Sequence, residues 1–295
     1  MRRAEKVDPL DPAVLARLAE AEFKTGTLET ATEVAKTNMQ WNGETIVAQL
    51  SMAEMEIRSG NYSAGHRLLL TASNISPDSF ELQSILSQFY LDVGMDDEAY
   101  QLASGNPVYK AFTDAQFGDR EAVEDFLTEA PTFDGSGDGR GAMYYFLGDL
   151  DAALPHVQNA VATLEVTGPA DLGMHEATWA LIWAHVLVNG DDPDGEVILR
   201  KIERRLEGLT PDNTKSRDAF VAGAGVELLR GNQDRAVDWL EAAFENGHVF
   251  MRLVRRPIFA PLNNNARFQA LSAEMEVRAA GYRSEFSEQI QASLS

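Results

Sequence analysis

The stretch LAEAEFKTG, residues 18–26, returns as MAEMEIRSG at residues 52–60, 34 positions later. The two stretches agree position by position as apolar, Ala, Glu, apolar, Glu, apolar, base, small hydroxyl and Gly. A third glycine, Gly94, follows after another 34 residues. A fixed period of this length indicates that one structural unit recurs along the chain, and it decides the fold.

Each unit has the pattern of two helices joined by a turn at the glycine. Apolar residues follow helical spacing on both sides of Gly26, for example Leu15, Leu18, Ala19 and Phe23 before it, then Leu28, Ala31, Val34 and Ala35 after it. Glycine supplies the permissive backbone with which the first helix ends. Five residues beyond each glycine comes a small residue (Ala31, Gly65 or Ala99), which lets the second helix approach the first.

These residues resemble tetratricopeptide repeats, a family of 34-residue helix pairs, well over residues 12–111 and again in FVAGAGVELLRGNQDRAVDWLEAAFENG, residues 220–247. The units at Gly118, Gly148 and Gly190 resemble degenerate copies. Where the family often has an aromatic residue, this chain has Glu22, Glu56 and Glu227, and only Tyr90 conforms. The resemblance implies an all-α fold, an α-α superhelix (TPR-like solenoid) of about six to seven helix pairs, several of them degenerate.

The segment from His248 to Met275 carries a second resemblance. It is similar to the segment that follows the last repeat in arrays attached to bacterial winged-helix regulators and adenylate cyclases. The matching residues are Pro257, Phe259, Pro261, Leu262, Arg267, Phe268 and Leu271. This resemblance implies a regulatory or sensor module of a larger bacterial system.

A Gly- and Asp-rich segment, DGSGDGRG at residues 134–141, predicts a linker. We expect it to divide an N-terminal TPR-like array (1–133) from a degenerate C-terminal array with a helical tail (142–295). Asp134, Ser136, Asp138 and Gly139 match the first half of a calcium loop, but the twelfth position holds Tyr145 instead of an acid. A flexible turn is therefore favoured over a weak cation site.

Composition limits the classes of partner. The 295 residues include 46 acidic and 25 basic ones, for a formal charge of −21, which disfavours nucleic acid and anionic membranes. There is no Cys, and no apolar run of membrane-spanning length, so no membrane insertion is expected. The N-terminus lacks a signal-peptide pattern, which indicates a cytoplasmic protein if the chain is complete and allows a periplasmic one if it is a fragment.

No known catalytic or cofactor motif occurs in the sequence. It contains neither a phosphate-binding loop, nor a nucleophile elbow, nor a dinucleotide fingerprint, and the five histidines lack metal-ligand spacing. We therefore expect no enzymatic activity, no cofactor, no catalytic residue and no metal ligand.

Two clusters keep alternatives open. His175, Trp179 and Trp183 lie four residues apart, which is typical of a buried helix face, although an aromatic groove for a peptide would show the same spacing. The basic runs RKIERR (200–205) and RLVRR (252–256) are typical of solvated helix faces that pair with nearby acids. For the second run, docking onto an acidic partner or a neighbouring subunit is the alternative.

In a solenoid of helix pairs the first helix of each pair lines the concave surface, where such proteins bind peptides. The family resemblance implies the following residues for this peptide-binding groove: Glu20, Phe23, Lys24, Val47, Leu50, Glu54, Ile57, Arg58, Gln88 and Leu91. Because Glu20 and Glu54 are acidic, we expect a protein or peptide partner with basic character. Two alternatives remain: a ligand-sensing or catalytic pocket around Trp179, Trp183 and His185, and a structural role in self-assembly as a homo-oligomer.

Overall fold

The computed structural model describes residues 10–25, 27–130, 138–164, 166, 172 and 174–293. Within these ranges the chain forms helices and no strand. The α-helices are α1 (Pro12–Thr25), α2 (Leu28–Asn42), α3 (Ile46–Arg58), α4 (Tyr62–Ile75), α5 (Phe80–Val93), α6 (Asp96–Ala103), α7 (Pro107–Phe117), α8 (Arg120–Glu129), α9 (Asp138–Phe146), α10 (Leu150–Thr163), α11 (Met174–Asn189), α12 (Pro193–Arg205), α13 (Arg217–Leu229), α14 (Gln233–Glu245) and α15 (Ala266–Ser293). Two 3-10 helices, Leu253–Arg255 and Pro257–Asn264, lie between α14 and α15.

Helices α1 to α14 form seven consecutive antiparallel pairs, which we call the array. The predicted all-α superhelix of helix pairs is thereby confirmed. We call residues 248–293, which follow the last pair, the tail.

The turn inside a pair is the same motif in most units. The glycine after the first helix takes the left-handed conformation, with φ between 74° and 83° at Gly60, Gly94, Gly118, Gly148 and Gly231. This conformation lets the next amide reach back along the helix, as in the Schellman motif. In the sixth pair, α11 and α12, the left-handed residue is Asp191 (φ 53°). The preceding Gly190 allows close packing, because a Cβ atom there would come within 2.7 Å of a Leu154 methyl group. Gly26 lies outside the described residues.

Two of the three glutamates at the family's aromatic position, Glu56 and Glu227, brace these turns. Asn61, directly after Gly60, donates its side-chain amide to a Glu56 carboxylate oxygen at 2.7 Å. Asn232, directly after Gly231, does the same with Glu227 at 2.9 Å. The repeated acid is thus part of the helix-turn architecture.

Small residues set the distance between the two helices of a pair, as predicted. Ala31 and Ala99 are fully buried. A Cβ atom on Gly65 would come within 2.6 Å of Ile57, so α3 and α4 could not approach as they do with a larger residue there. Close packing of this kind is sensitive to a single methyl group.

The superhelix curls far enough for its ends to meet. Helix α1 contacts α11, and α15 packs against α4 and α5. The Tyr62 hydroxyl donates to the Val249 carbonyl at 3.0 Å, and Phe286 stacks on His66 with ring centroids 4.2 Å apart. The tail therefore closes the array on itself instead of extending the solenoid.

The predicted linker is partly helical, since Asp138–Gly141 begin α9, and residues 134–137 lie outside the described part. The division into 1–133 and 142–295 stays a prediction. The largest core cluster takes residues from both sides of this segment, from Leu50 to Phe286. Among the described residues, no helix combines the length and apolar character that crossing a bilayer requires.

Candidate binding cavity

A cavity of about 540 Å³ lies on the inner side of the superhelix, and we call it the central cavity. Its walls come from the first helices of six pairs (α3, α5, α7, α9, α11 and α13) and its tail end from the segment around Leu253. First helices face inward because each second helix packs outside them, so the concave surface converges on this space.

The structure divides the predicted groove residues into three groups. Those that line the central cavity are Glu54, Ile57, Arg58, Gln88 and Leu91. Leu50 and Phe23 are buried in the core, and Val47 is only partly buried; none of the three lines the cavity. Glu20 is exposed outside it, and the side chain of Lys24 lies outside the described part of the chain.

Aromatic side chains line much of the cavity. Phe80 is 54% exposed and stacks on Tyr109 with ring centroids 5.0 Å apart. Trp179 is 40% exposed and lines the same space, as do Phe112 and Phe146. Large apolar side chains left uncovered in a concavity are typical of binding sites.

The structure corrects the reading of the His175, Trp179 and Trp183 stripe as a buried face. The buried face of α11 is formed by Ala177, Ala180, Leu181, Ala184 and Leu187, whereas Trp179 projects into the cavity. Trp183 is half-buried and packs against the core, and the side chain of His175 lies outside the described residues.

A row of alternating charges crosses the cavity from α3 to the tail. Arg58 pairs with Asp218 and also lies 4.3 Å above the Phe23 ring. Asp92, almost fully buried, accepts from Arg217 at 2.7 Å and from Arg252 at 3.1 Å. These pairs join segments that are more than 120 residues apart in sequence, so they clamp the closed superhelix.

Glu54 stands at the α3 end of this row. Burial raises the pKa of its carboxyl group, Arg58 opposes that shift, and Glu81, Glu20 and Asp218 add to it. An acid whose ionised form is disfavoured by its surroundings gains from a cation brought by a ligand.

Arg256 stands at the tail end of the row. Its guanidinium lies 5.6 Å from the centre of the Phe146 ring, and its Nε is buried without a hydrogen-bond acceptor among the described residues. Burial, with Arg252 next, lowers the pKa of Arg256 to about 10. Arg256 belongs to the basic run 252–256, and the sequence pattern did not predict a place for it in the groove.

The two basic runs are paired within the chain. In the first run Arg200 contacts Glu196, as the solvated-face reading predicts. In the second run Arg252 reaches Asp92 and Arg255 reaches Asp96 at 3.1 Å, both in the array. Arg252 and Arg255 therefore pair with acids of the same chain, as the favoured reading predicts; docking onto an acidic partner or a neighbouring subunit stays an untested alternative.

The remaining sequence candidates do not join the cavity. Asp138 and Gly139 of the calcium-loop pattern lie in α9, Tyr145 is buried, and Asp134 and Ser136 fall outside the described residues. No group of three potential metal ligands occurs in the described ranges. His185 is buried edge-on against Tyr145, and burial lowers its pKa to about 4.

No profile of a known protein family matches the chain, and no curated protein matches it. Among solved structures, the APC/C heterotetramer Cut9-Hcn1 is similar over 92% of this chain and 50% of that chain, at 13% identity and a TM-score of 0.52. The chain thus spans half the length of that solved chain. PilW, a type IV pilus biogenesis factor, matches 69% of this chain and 96% of its own at 15% identity and a TM-score of 0.40.

Pseudomonas aeruginosa pilF covers 89% of this chain and 97% of its own, at 12% identity and a TM-score of 0.33. The match to Cut9-Hcn1 agrees with the helix pairs, the turn glycines and the concave inner surface described above. The chain has the fold of a tetratricopeptide-repeat protein, an all-α superhelix of helix pairs.

Proposed function

We propose that this protein is a non-enzymatic interaction scaffold that holds a peptide segment of a partner protein in the central cavity. The proposal rests on two exposed aromatic side chains that line the cavity, Phe80 of α5 and Trp179 of α11. Aromatic anchors in concave sites supply most of the energy of many protein interfaces.

The acidic end of the cavity favours a basic residue in the bound segment. Glu54 and Glu81 both line this end, and Glu54 is an acid whose charge is poorly compensated. A Lys or Arg side chain placed there would neutralise it, which supports a partner with basic character. The net charge of −21 acts in the same direction through long-range attraction.

The tail supports a regulatory role. Its 3-10 segment, which resembles the end of arrays in bacterial regulators and cyclases, contributes Arg252, Leu253 and Arg256 to the cavity. Binding in the cavity and seating of the tail are therefore adjacent events, and we propose that the protein acts as the sensory part of a larger bacterial system.

Peptides selected from a random library on the immobilised full chain provide the test. Phe80→Ala and Trp179→Ala should each lower the affinity of an enriched peptide about thirtyfold or more, as truncation of an interface anchor does. Trp41→Ala is the matched control, because Trp41 is 57% exposed and does not line the cavity.

Two results would overturn the proposal: no peptide is enriched, or the enriched peptides lose affinity for Trp41→Ala and not for the two cavity variants. The basic character of the partner is tested separately. Replacing the peptide's Lys or Arg with norleucine should weaken binding to the wild type and leave binding to Glu54→Gln unchanged.

A small-molecule sensor is the second candidate, because a concavity of about 540 Å³ with aromatic walls is also the size of a small-ligand site. A thermal-shift screen against small metabolites would distinguish it. A compound that raises the melting temperature of the wild type but not of Trp179→Ala, with no peptide enriched, would favour this role.

A further inference from the structure

We propose that Arg256 anchors a carboxylate group of the bound ligand at the tail end of the central cavity. This inference deepens the proposed function, since it names the chemistry at one end of the same site. It rests on the proposed function only in taking the carboxylate to belong to a bound peptide. It is carried by how Arg256 is placed and by the lack of a partner for it among the described residues.

The backbone holds Arg256 in a fixed place. The residue lies between the two 3-10 helices, with an extended conformation (φ −71°, ψ 143°) ahead of Pro257. Its amide donates to the Leu253 carbonyl at 2.9 Å, and its carbonyl accepts from the Phe259 amide at 3.0 Å. The side chain is thus presented to the cavity by a segment bonded on both sides.

The carboxylates near Arg256 are already engaged. Asp218 pairs with Arg58, and Asp92 takes both Arg217 and Arg252. Two guanidinium groups therefore share Asp92, and Arg256 adds a third positive charge at the tail end, which leaves a local surplus of positive charge. Within the described ranges no carboxylate forms an ion pair with Arg256, whose Nε also lacks an acceptor.

A guanidinium Nε–H that is buried without an acceptor is costly, and an incoming anion removes that cost. The planar fork of arginine matches a carboxylate, with two parallel hydrogen bonds. Of the three guanidinium groups at the tail end, only that of Arg256 has no ion-pair partner among the described residues, which suits a carboxylate better than a phosphate that calls for several donors. Phe146 beneath the guanidinium, together with Trp179 in the same cavity, favours a carboxylate carried on an apolar group.

The anion site can be tested with small probes on the full chain. The Arg256 Nε–H signal would be followed by ¹⁵N NMR at constant ionic strength and assigned by its loss in Arg256→Gln or, if that variant does not fold, Arg256→Lys. Benzoate should shift the signal along a saturating curve, and the neutral isostere benzamide should not. Arg255→Gln, which removes the same charge from the exposed neighbour, should bind benzoate like the wild type.

A linear, non-saturating response to benzoate, or an equal response to benzamide, would overturn the proposal. The proposal would also be overturned if inorganic phosphate shifted the Arg256 signal to saturation at a lower concentration than benzoate, because the site would then be a phosphate site.

The source of the carboxylate is decided with the enriched peptides, made with a free or an amidated C-terminus and with each Asp or Glu changed to its amide. Neutralising the carboxylate that contacts Arg256 should weaken binding to the wild type about ten- to a hundredfold and leave binding to Arg256→Gln unchanged. Loss on amidation identifies the chain terminus, and loss on a side-chain change identifies an acidic residue.

These outcomes separate the two proposals. Peptides that need Phe80 but tolerate every neutralisation would overturn the carboxylate anchor and leave the peptide scaffold standing. If benzoate binding at Arg256 saturates but no peptide is enriched, the carboxylate anchor stands and the peptide scaffold is overturned.

Discussion

Replacing Asp92 with Asn should destabilise the closed superhelix more than any other single loss of charge in the cavity. Asp92 has 2% of its side chain exposed and accepts from Arg217 on α13 and from Arg252 in the tail. Its backbone carbonyl also accepts from the Met251 amide at 3.2 Å. The substitution keeps the size of the side chain and removes the charge that two arginines share.

Breaking a buried ion pair by removing one partner costs about 3–5 kcal/mol, because the other charge stays buried and unpaired. Arg217 and Arg252 each keep about one sixth of their side-chain surface exposed, so some solvation remains. We therefore expect a loss of about 3 kcal/mol in the free energy of unfolding, and a melting temperature lower by about 6–12 °C.

Urea unfolding followed by circular dichroism measures this loss, and Asp96→Asn is the matched control. Asp96 forms a solvent-exposed pair with Arg255, so its loss should change the stability by less than about 1 kcal/mol. The double variant Asp92→Asn with Arg252→Gln should recover part of the stability, since one stranded charge is gone. Equal effects of Asp92→Asn and Asp96→Asn would refute the reasoning that this carboxylate clamps the tail to the array.

Three further predictions concern packing and pH. Gly223→Ala should lower the free energy of unfolding by about 1–2 kcal/mol, because the new methyl group would lie 2.5 Å from the buried Trp239 ring. Gly281→Ala has open space around the new methyl group and should raise the free energy of unfolding by about 0.5–1 kcal/mol in the same urea assay. Burial lowers the pKa values of His185 and His248 to about 4, so below pH 6.5 the unfolded state binds more protons than the folded state. The free energy of unfolding should therefore fall between pH 6.5 and pH 4, by about 3 kcal/mol for each histidine. A His185→Gln variant whose stability has the same pH slope as the wild type would contradict this. Glu54→Gln should raise the melting temperature at pH 7, because the folded state disfavours the ionised form of this acid. The gain should disappear as the pH falls below 4.5, the ordinary pKa of a glutamate carboxyl group. A gain that persists at pH 3 would have another cause.

The local architecture could be predicted from the sequence because it depends on neighbouring residues. The 34-residue spacing of glycines and the small residues five positions later specify a helix, a left-handed turn and a close second helix. These features appear at Gly60 and Gly94 as expected. The role of Glu56 was not predicted, although a signal was present: in the units of Glu56 and Glu227, an Asn stands five residues after the acid, directly after the turn glycine.

The candidate site could be predicted only in part, since it depends on how far the superhelix curls. Glu54, Arg58 and Gln88 do line the cavity, because the first helix of each pair faces inward. Helical periodicity shows which residues share a face but not what covers that face. It therefore could not show that Phe23 would be buried or that Trp179 would remain uncovered.

The arginines of the cavity lay beyond the reach of pattern reasoning. Arg217 and Arg252 meet Asp92 across 125 and 160 residues of sequence, and no local spacing encodes such a contact. The resemblance of the tail to a regulatory segment placed it at the end of the array. Its return to α4 and α5 follows from the closed curvature of the whole chain.

The claim that the central cavity is the binding site is tested most directly by the indole N–H signals of the tryptophans, recorded while an enriched peptide is added to the full chain. Trp179 lines the cavity and Trp41 is exposed outside it, so one spectrum contains both the probe and its control. We predict a saturable shift of the Trp179 signal, with the Trp41 signal unchanged. A peptide that saturates its binding while the Trp179 signal stays in place would contradict the account.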